Sequence, residues 1–299
     1  MNFLQRLLSQ PKAEAGAQGQ MAGKRIDQSE PSQTSTISHL PPGLHIGKLS
    51  DIGQLRERNE DSFYTVQSLL QYNYGQEPFG LFIVADGMGG HQKGEIASSL
   101  AARTAAEHIL KDIYLPYLAN NNQGTATRPI NEVLIAAVEG ANIAVQEVAP
   151  EGGTTLTIAL VMGNSAYIAH VGDSRAYWFN QGNLKQVTKD HSLVQRLVEL
   201  GQETAEGALT HPQRNVLYRA IGQGGAMEVD IYVQHLPPGS SLLLCSDGLW
   251  GPVKNDALRE IINTSATPQE ACERLIATAN KNGGEDNITA IIVSTGVES

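Results

Sequence analysis

LFIVADG, residues 81–87, is five apolar residues running straight into an Asp-Gly pair. An unbroken apolar run of that length predicts a buried strand. The same ending recurs twice: SLLLCSDG carries Asp247-Gly248 past a second apolar run, and YIAHVGD carries Gly172-Asp173 past a third. A carboxylate beside a buried strand is costly to desolvate unless a cation meets it. The adjoining glycines let the backbone turn sharply and approach a ligand closely. Taken singly, each Asp reads as a turn residue or a helix N-cap. Three such corners in one chain point to a shared site.

The neighbouring sequence supplies the rest of the fold. TLTIALV-MGN-SAYIAHV and RAYWF-NQGN-LKQV each pair two β-rich runs across a Gly-Asn-type turn, so both predict hairpins. Residues 95–116 and 131–148 are Ala-rich with helical apolar spacing. Thr267-Pro268-Gln269-Glu270 opens another helix with a capping box and Pro at its first position, and that helix ends near Asn282-Gly283-Gly284. Strands cluster with short turns and helices interrupt them in groups, unlike the strict alternation of a doubly wound sheet. The prediction is an α+β fold of stacked antiparallel sheets covered by helices. Residues 1–42 are rich in Gln, Ser, Ala, Gly and Pro and predict a disordered tail, leaving one domain over 43–297.

Charge and cysteine usage narrow the function. A net charge of −10 argues against nucleic acid as partner, because no basic patch supplies the phosphate contacts. Cys245 and Cys272 read as small core residues in a reducing compartment. No stretch approaches the roughly 20 apolar residues of a spanning helix, and the first residues lack the apolar core of a signal peptide. The expectation is a soluble cytoplasmic protein.

Two further acidic positions join the three corners: Glu60-Asp61 in RERNEDSF and Asp286 in GGEDNIT. Carboxylates without His or Cys companions select hard cations, Mg²⁺ or Mn²⁺. The eight histidines form no zinc spacing, and no acidic 12-residue calcium loop is present. Arg56 reads either as a solvated charge or as a planar fork that grips phosphate in an acidic pocket. No Cys-x5-Arg loop, Walker loop or Asp-x-Asp nucleophile motif occurs, which leaves metal-activated water as the attacker.

With those residues in view, the chain resembles the metal-dependent PPM, or type 2C, protein phosphatases in their bacterial form. The matching blocks are RERNEDSF (56–63), VADGMGGHQKGEIAS (84–98), GGTTLT (152–157), AHVGDSRAY (169–177), TKDHSLV (188–194), CSDGLW (245–250) and EDNITAIIV (285–293), in order over about 43 to 295. The resemblance implies a four-layer α-β-β-α sandwich and a phosphatase acting on phosphoserine and phosphothreonine. It implies two Mn²⁺ or Mg²⁺ ions bridged by Asp86, with Gly87 binding the second ion through its carbonyl and Asp247 and Asp286 binding the first. Glu60 and Asp61 would hold waters around the ions, and Asp173 with Asp247 would match a third ion seen in bacterial relatives. Arg56 would grip phosphate, and a flap would span about 191–222. Phosphorylated proteins, among them a Ser/Thr kinase of the same cell, would be the partners of a monomer. Where eukaryotic members carry a histidine two residues after the bridging Asp, this chain has Met88, which leaves the general acid open; His91 does not take that place. The competing readings are a catalytically silent binding module of the same fold and a phosphatase dedicated to an anti-sigma-pathway protein.

Overall fold

A sheet can be apolar on both faces only if each face is covered, and the alternation of side chains shows how this protein covers them. In strand β3 (Gly75–Met88) Leu81, Ile83 and Ala85 point one way into a core shared with two helices, while Phe82 and Val84 point the other way into a second core. Strand β10 (Ser241–Cys245) and strand β11 (Ile288–Thr295) alternate in the same manner. Leu242, Leu244, Ile291 and Val293 meet Phe82 and Val84, whereas Leu243, Cys245, Ala290 and Ile292 face a third core. This period of two makes three apolar layers between four structural layers.

The computed structural model describes residues 43–72, 75–89, 92–119, 128–208, 210–224 and 227–296. The predicted tail over 1–42 and His91 lie outside the described residues. The other strands are β1 (Leu44–Asp51), β2 (Asp61–Tyr72), β4 (Gly153–Thr154), β5 (Leu156–Met162), β6 (Ser165–Val171), β7 (Arg175–Asn180), β8 (Asn183–Gln186) and β9 (Asp230–His235). One sheet runs β1-β11-β10-β7-β8 and the other β2-β3-β5-β6-β9, with β4 pairing to β3; every pairing is antiparallel.

The helices are α1 (Lys93–Ile109), α2 (Leu115–Ala119), α3 (Ile130–Val148), α4 (Leu193–Glu199), α5 (Ala205–Ala208), α6 (Asp247–Trp250), α7 (Asn255–Thr264) and α8 (Pro268–Lys281). Helices α1 and α3 cover the second sheet through Ala97, Ala101, Ala105, Leu134 and Ala141. Helices α7 and α8 cover the first through Leu258, Ile262, Cys272, Leu275 and Ile276. The four-layer expectation holds. The predicted helix over 95–116 is in fact α1, a π-helical turn (Leu110–Tyr114) and α2 in succession. Both predicted hairpins form, turning at Gly163-Asn164 and Gln181-Gly182. Thr267 caps α8 by accepting from the Glu270 N–H at 3.1 Å, with Pro268 in the first turn as predicted. Among the described residues no helix is long and apolar enough to cross a membrane.

Candidate active site

The acidic residues come together because several elements of the sandwich begin or end at the same edge. Asp61 opens β2 and lies directly opposite Asp86 in the β2–β3 register. Asp86 stands within the last turn of β3's ladder rather than beyond it, so the strand itself fixes its direction. Asp173 follows β6, Asp247 starts the one-turn helix α6 just past β10, and Asp286 precedes β11. Asp86 is close enough to Asp247 to share a hydrogen bond, and it feels Asp61, Asp173 and Asp286 as neighbouring charges.

Glu60 and Gly87 are held by a tight crossing of backbone. The Gly87 N–H donates to the Glu60 carbonyl at 3.2 Å, and a Cβ on Gly87 would overlap that carbonyl and the carbonyl of Gly94. Only glycine fits there. Gly94, in the first turn of α1, has its missing side chain replaced by the Glu60 carboxylate, which thereby lies at a helix N-terminus where negative charge is favoured. Arg56 is half-exposed and donates to Asp286 at 2.6 Å, near Glu60 and Asp247. All eight predicted residues therefore gather at one end of the sandwich.

The electrostatics of this cluster are unbalanced. Burial, followed by the charge of Asp247, pushes Asp86 well above the ordinary carboxylate range. Burial likewise raises Asp173, with Asp247 and Asp190 adding to it. Asp61 is pushed up to about 7 by burial, against the hydrogen bonds it accepts from Thr289 and Ser246. Asp247 rises to about 6 through burial and then Asp286. Glu60 is raised by burial, with Arg56 opposing. A bound cation would offset each shift by favouring the charged form.

The donor set fits hard divalent ions, since it is carboxylate and carbonyl oxygen throughout. Among the described residues no three His, Cys, Asp or Glu side chains close round a single point. Asp247 and Asp286 instead open onto a cleft with the other carboxylates behind them, which suits ions that keep several waters and take one or two carboxylates each.

Sequence reasoning missed the residues that hold this frame. The Asp86 backbone is gripped by the adjacent threonines: its carbonyl accepts from Thr154 Oγ1 at 2.8 Å and the Thr155 N–H at 2.9 Å, and its N–H donates to Thr155 Oγ1 at 2.9 Å. The side chain of Asn287 bridges the loop before β2 to β11, accepting from the Glu60 N–H at 2.7 Å and donating to the carbonyls of Ile52 and Arg58. Ser246 donates to Asp61 at 2.7 Å. Trp250 donates its indole N–H to the Asp173 carbonyl at 3.0 Å, and its ring lies 3.5 Å from the Arg175 guanidinium, which is bidentate to Asp190. The only sequence signal for them was their position inside the seven blocks.

Beside the carboxylates opens a cleft of about 830 Å³, walled by Arg56, Arg175, Asp247 and Asp286 on one side and by Val194, Val198 and Arg214 of the segment 191–222 on the other. That segment carries α4 and α5 and returns along its own outgoing leg through the Ser192–Leu217 bridge.

Comparison with known proteins agrees with this geometry. Residues 58–291 match the family described as Protein phosphatase 2C. The chain is 37% identical over 251 residues to a serine/threonine phosphatase, stp, of Listeria monocytogenes, covering 84% of this chain and 95% of that protein. Among solved structures it superposes on the serine/threonine phosphatase PstP of Mycobacterium tuberculosis with a TM-score of 0.70 at 35% identity, covering 85% of this chain and 99% of that one. A second structure of a PstP catalytic domain, in complex with two manganese ions, superposes with a TM-score of 0.69 at 33% identity, covering 85% and 99%.

Proposed function

We propose, from the premise that this chain belongs to the protein phosphatase 2C family, a division of labour among its site residues. The chain is a metal-dependent protein serine/threonine phosphatase and uses Mn²⁺ or Mg²⁺. In the proposed division, Asp86, the Gly87 carbonyl, Asp247 and Asp286 would hold two ions, Glu60 and Asp61 would hold waters around them, and Asp173 with Asp247 would hold a third. The ions, when bound, supply an acidified water as nucleophile and neutralise phosphate charge. The observation that carries this reading is the set of partly to fully buried carboxylates around Asp86, among which, in the described residues, Arg56 is the one paired cation, on Asp286.

The chain's own residues then position the substrate. Arg56 reaches the cleft from a half-exposed site, with Asp286 holding its guanidinium toward the carboxylates, so its free N–H groups face an incoming phosphate. The flap and the Arg56 wall form a groove for the polypeptide on either side of the phosphorylated residue. Met88, two residues after Asp86, has no proton to give, so the departing seryl or threonyl oxygen takes its proton from water. The physiological substrates are phosphoproteins of the cytoplasm, a Ser/Thr kinase among them, and the enzyme acts as a monomer that terminates their signals. Two free, buried thiols support the reducing compartment.

The test is hydrolysis of para-nitrophenyl phosphate and of phosphoserine and phosphothreonine peptides with Mn²⁺, Mg²⁺ or chelator present. Turnover that requires the ion supports the assignment. Folded protein that binds Mn²⁺ yet turns over none of these substrates would favour the silent binding module.

A further inference from the structure

We propose that His191 is a positioning residue that couples the flap to the Gly172–Asp173 corner. The inference rests on the reading of Asp173 as a metal-holding carboxylate.

The corner follows directly from the end of β6. Gly172 has φ +108°, and a Cβ there would overlap Thr155, so the turn is closed to other residues. Both backbone polar groups of Gly172 are taken up by one partner. Its carbonyl accepts from the His191 N–H at 2.7 Å, and its N–H donates to His191 Nδ1 at 3.1 Å. Asp173 is the next residue, so the direction in which its carboxylate leaves the chain depends on this pair of hydrogen bonds. Trp250 holds the other side of the corner through the Asp173 carbonyl.

The same histidine is the base of the flap. Its carbonyl accepts from the Tyr218 N–H at 3.0 Å, and one step further the Leu193 N–H donates to the Val216 carbonyl at 2.8 Å. The outgoing and returning legs of the flap therefore close on His191. The ring is 1% exposed, 4.9 Å from the His170 ring on one side and 5.7 Å from the Tyr218 ring on the other. Because Nδ1 accepts from Gly172, the neutral ring carries its proton on Nε2, which lies 3.3 Å from the Asp230 carboxylate and 3.1 Å from Arg219 NH1, both at the foot of the returning leg. Arg219, on the returning leg, donates to the same carboxylate at 2.9 Å.

With both ring nitrogens engaged, the imidazole cannot follow a displaced flap and keep Gly172. A flap shift must either drag the corner with it or leave the Gly172 N–H buried without a partner, and such a group is costly to orphan. Flap placement and Asp173 placement are thereby one variable. A polypeptide seated against the flap would tighten the Asp173 site, and occupancy of that site would hold the flap.

The experiment uses the full chain and two readouts. One is calorimetric titration of the metal-free protein with Mn²⁺. The other is tryptic cleavage after the flap residues Arg196 and Arg214, with and without Mn²⁺. Asp173→Asn identifies the binding step that Asp173 contributes. His191→Ala is expected to weaken that step by about 10- to 100-fold, the usual effect of losing a partner that orients a ligand. It should also speed flap cleavage and abolish its slowing by Mn²⁺. His191→Asn, which keeps an acceptor at the Nδ1 position but nothing at Nε2, is expected to recover most of the Mn²⁺ affinity while the flap stays easily cut. It decides the matter should His191→Ala fail to fold.

If Asp173→Asn removes a step that His191→Ala and His191→Asn leave intact, with flap protection unchanged, the coupling is wrong and the role of Asp173 stands. If Asp173→Asn removes no step, the metal role of Asp173 falls and the coupling falls with it.

Discussion

Asp190 and Asp173 are almost equally buried, 4% and 6% exposed, yet their surroundings are opposite. Asp190 accepts three hydrogen bonds from Arg175 Nε and NH2 at 2.7–3.1 Å and a fourth from Gln186, and the guanidinium stacks on Trp250. Among the described residues Asp173 has no ion pair, and burial together with Asp247 and Asp190 pushes it toward the neutral form. One carboxylate has its cation built into the chain, and the other waits for one from outside. The wall around Asp190 is therefore architecture, and the corner around Asp173, Asp86 and Asp247 is where the proposed ions would bind.

The comparison predicts that substitutions on the two sides fail in different ways. The largest loss of stability belongs to Arg175→Ala. Removing one partner of a buried ion pair costs about 3–5 kcal/mol, because Asp190 is left charged and alone. Denaturant unfolding of the metal-free protein measures it, and a loss under about 1 kcal/mol would erase the distinction between the two regions. Asp86→Asn is the mirror case. With Mn²⁺ present kcat/KM should fall by about 10²–10³-fold or more, the scale of losing a placed electrostatic group. The metal-free protein should be no less stable than wild type, because a carboxylate that burial and its neighbours force to take up a proton has been replaced by a neutral amide. Normal turnover in this variant would end the assignment.

Arg56→Ala lies between the two regions, since its one ion pair is half-exposed and its proposed partner is substrate. It should raise KM with kcat much less affected. The loss of a charge-assisted contact, about 1.5–3 kcal/mol, corresponds to roughly 10- to 150-fold. An unchanged KM would reassign it to a surface charge.

The smallest effect is on pH dependence. Asp61 titrates near 7 and Asp247 near 6 in the folded chain, above their ordinary 3.8. The native state thus holds protons that the unfolded state releases. The stabilisation is complete below about pH 4 and is lost as pH rises through 6 to 7. Metal-free protein should lose thermal stability across that window, Asp61→Asn should flatten the slope, and Mn²⁺ should restore more stability at pH 7.5 than at pH 5. A slope of the same size in wild type and Asp61→Asn would place the titration elsewhere.

The parts legible in the sequence were those written in adjacent residues. LFIVADG announces a buried strand and its acidic end within seven positions, and the hairpin turns announce themselves at Gly163-Asn164 and Gln181-Gly182. The proposed ligand residues could be gathered because each corner has its own local signature. What holds them in place could not, since those contacts join distant positions. Thr155 grips Asp86 across 69 residues, and Asn287 fixes Glu60 across 227. A threonine or asparagine in a list of residues carries no mark of which backbone it will reach. The division of the helix over 95–119 at its π-helical turn was equally silent, because apolar spacing near 3.6 runs on through it. His191 was visible only as a letter in TKDHSLV, and its place under the flap emerged from topology.

The claim at the centre of this account is that the clustered carboxylates around Asp86 are under-compensated until divalent ions arrive. Calorimetric titration of Mn²⁺ into metal-free wild type and Asp86→Asn at pH 7.5 tests it most directly. The account predicts at least two ions bound by the wild type and the loss of the tightest binding in the variant, with the fold intact by circular dichroism. Equal stoichiometry and affinity in the two proteins would contradict it.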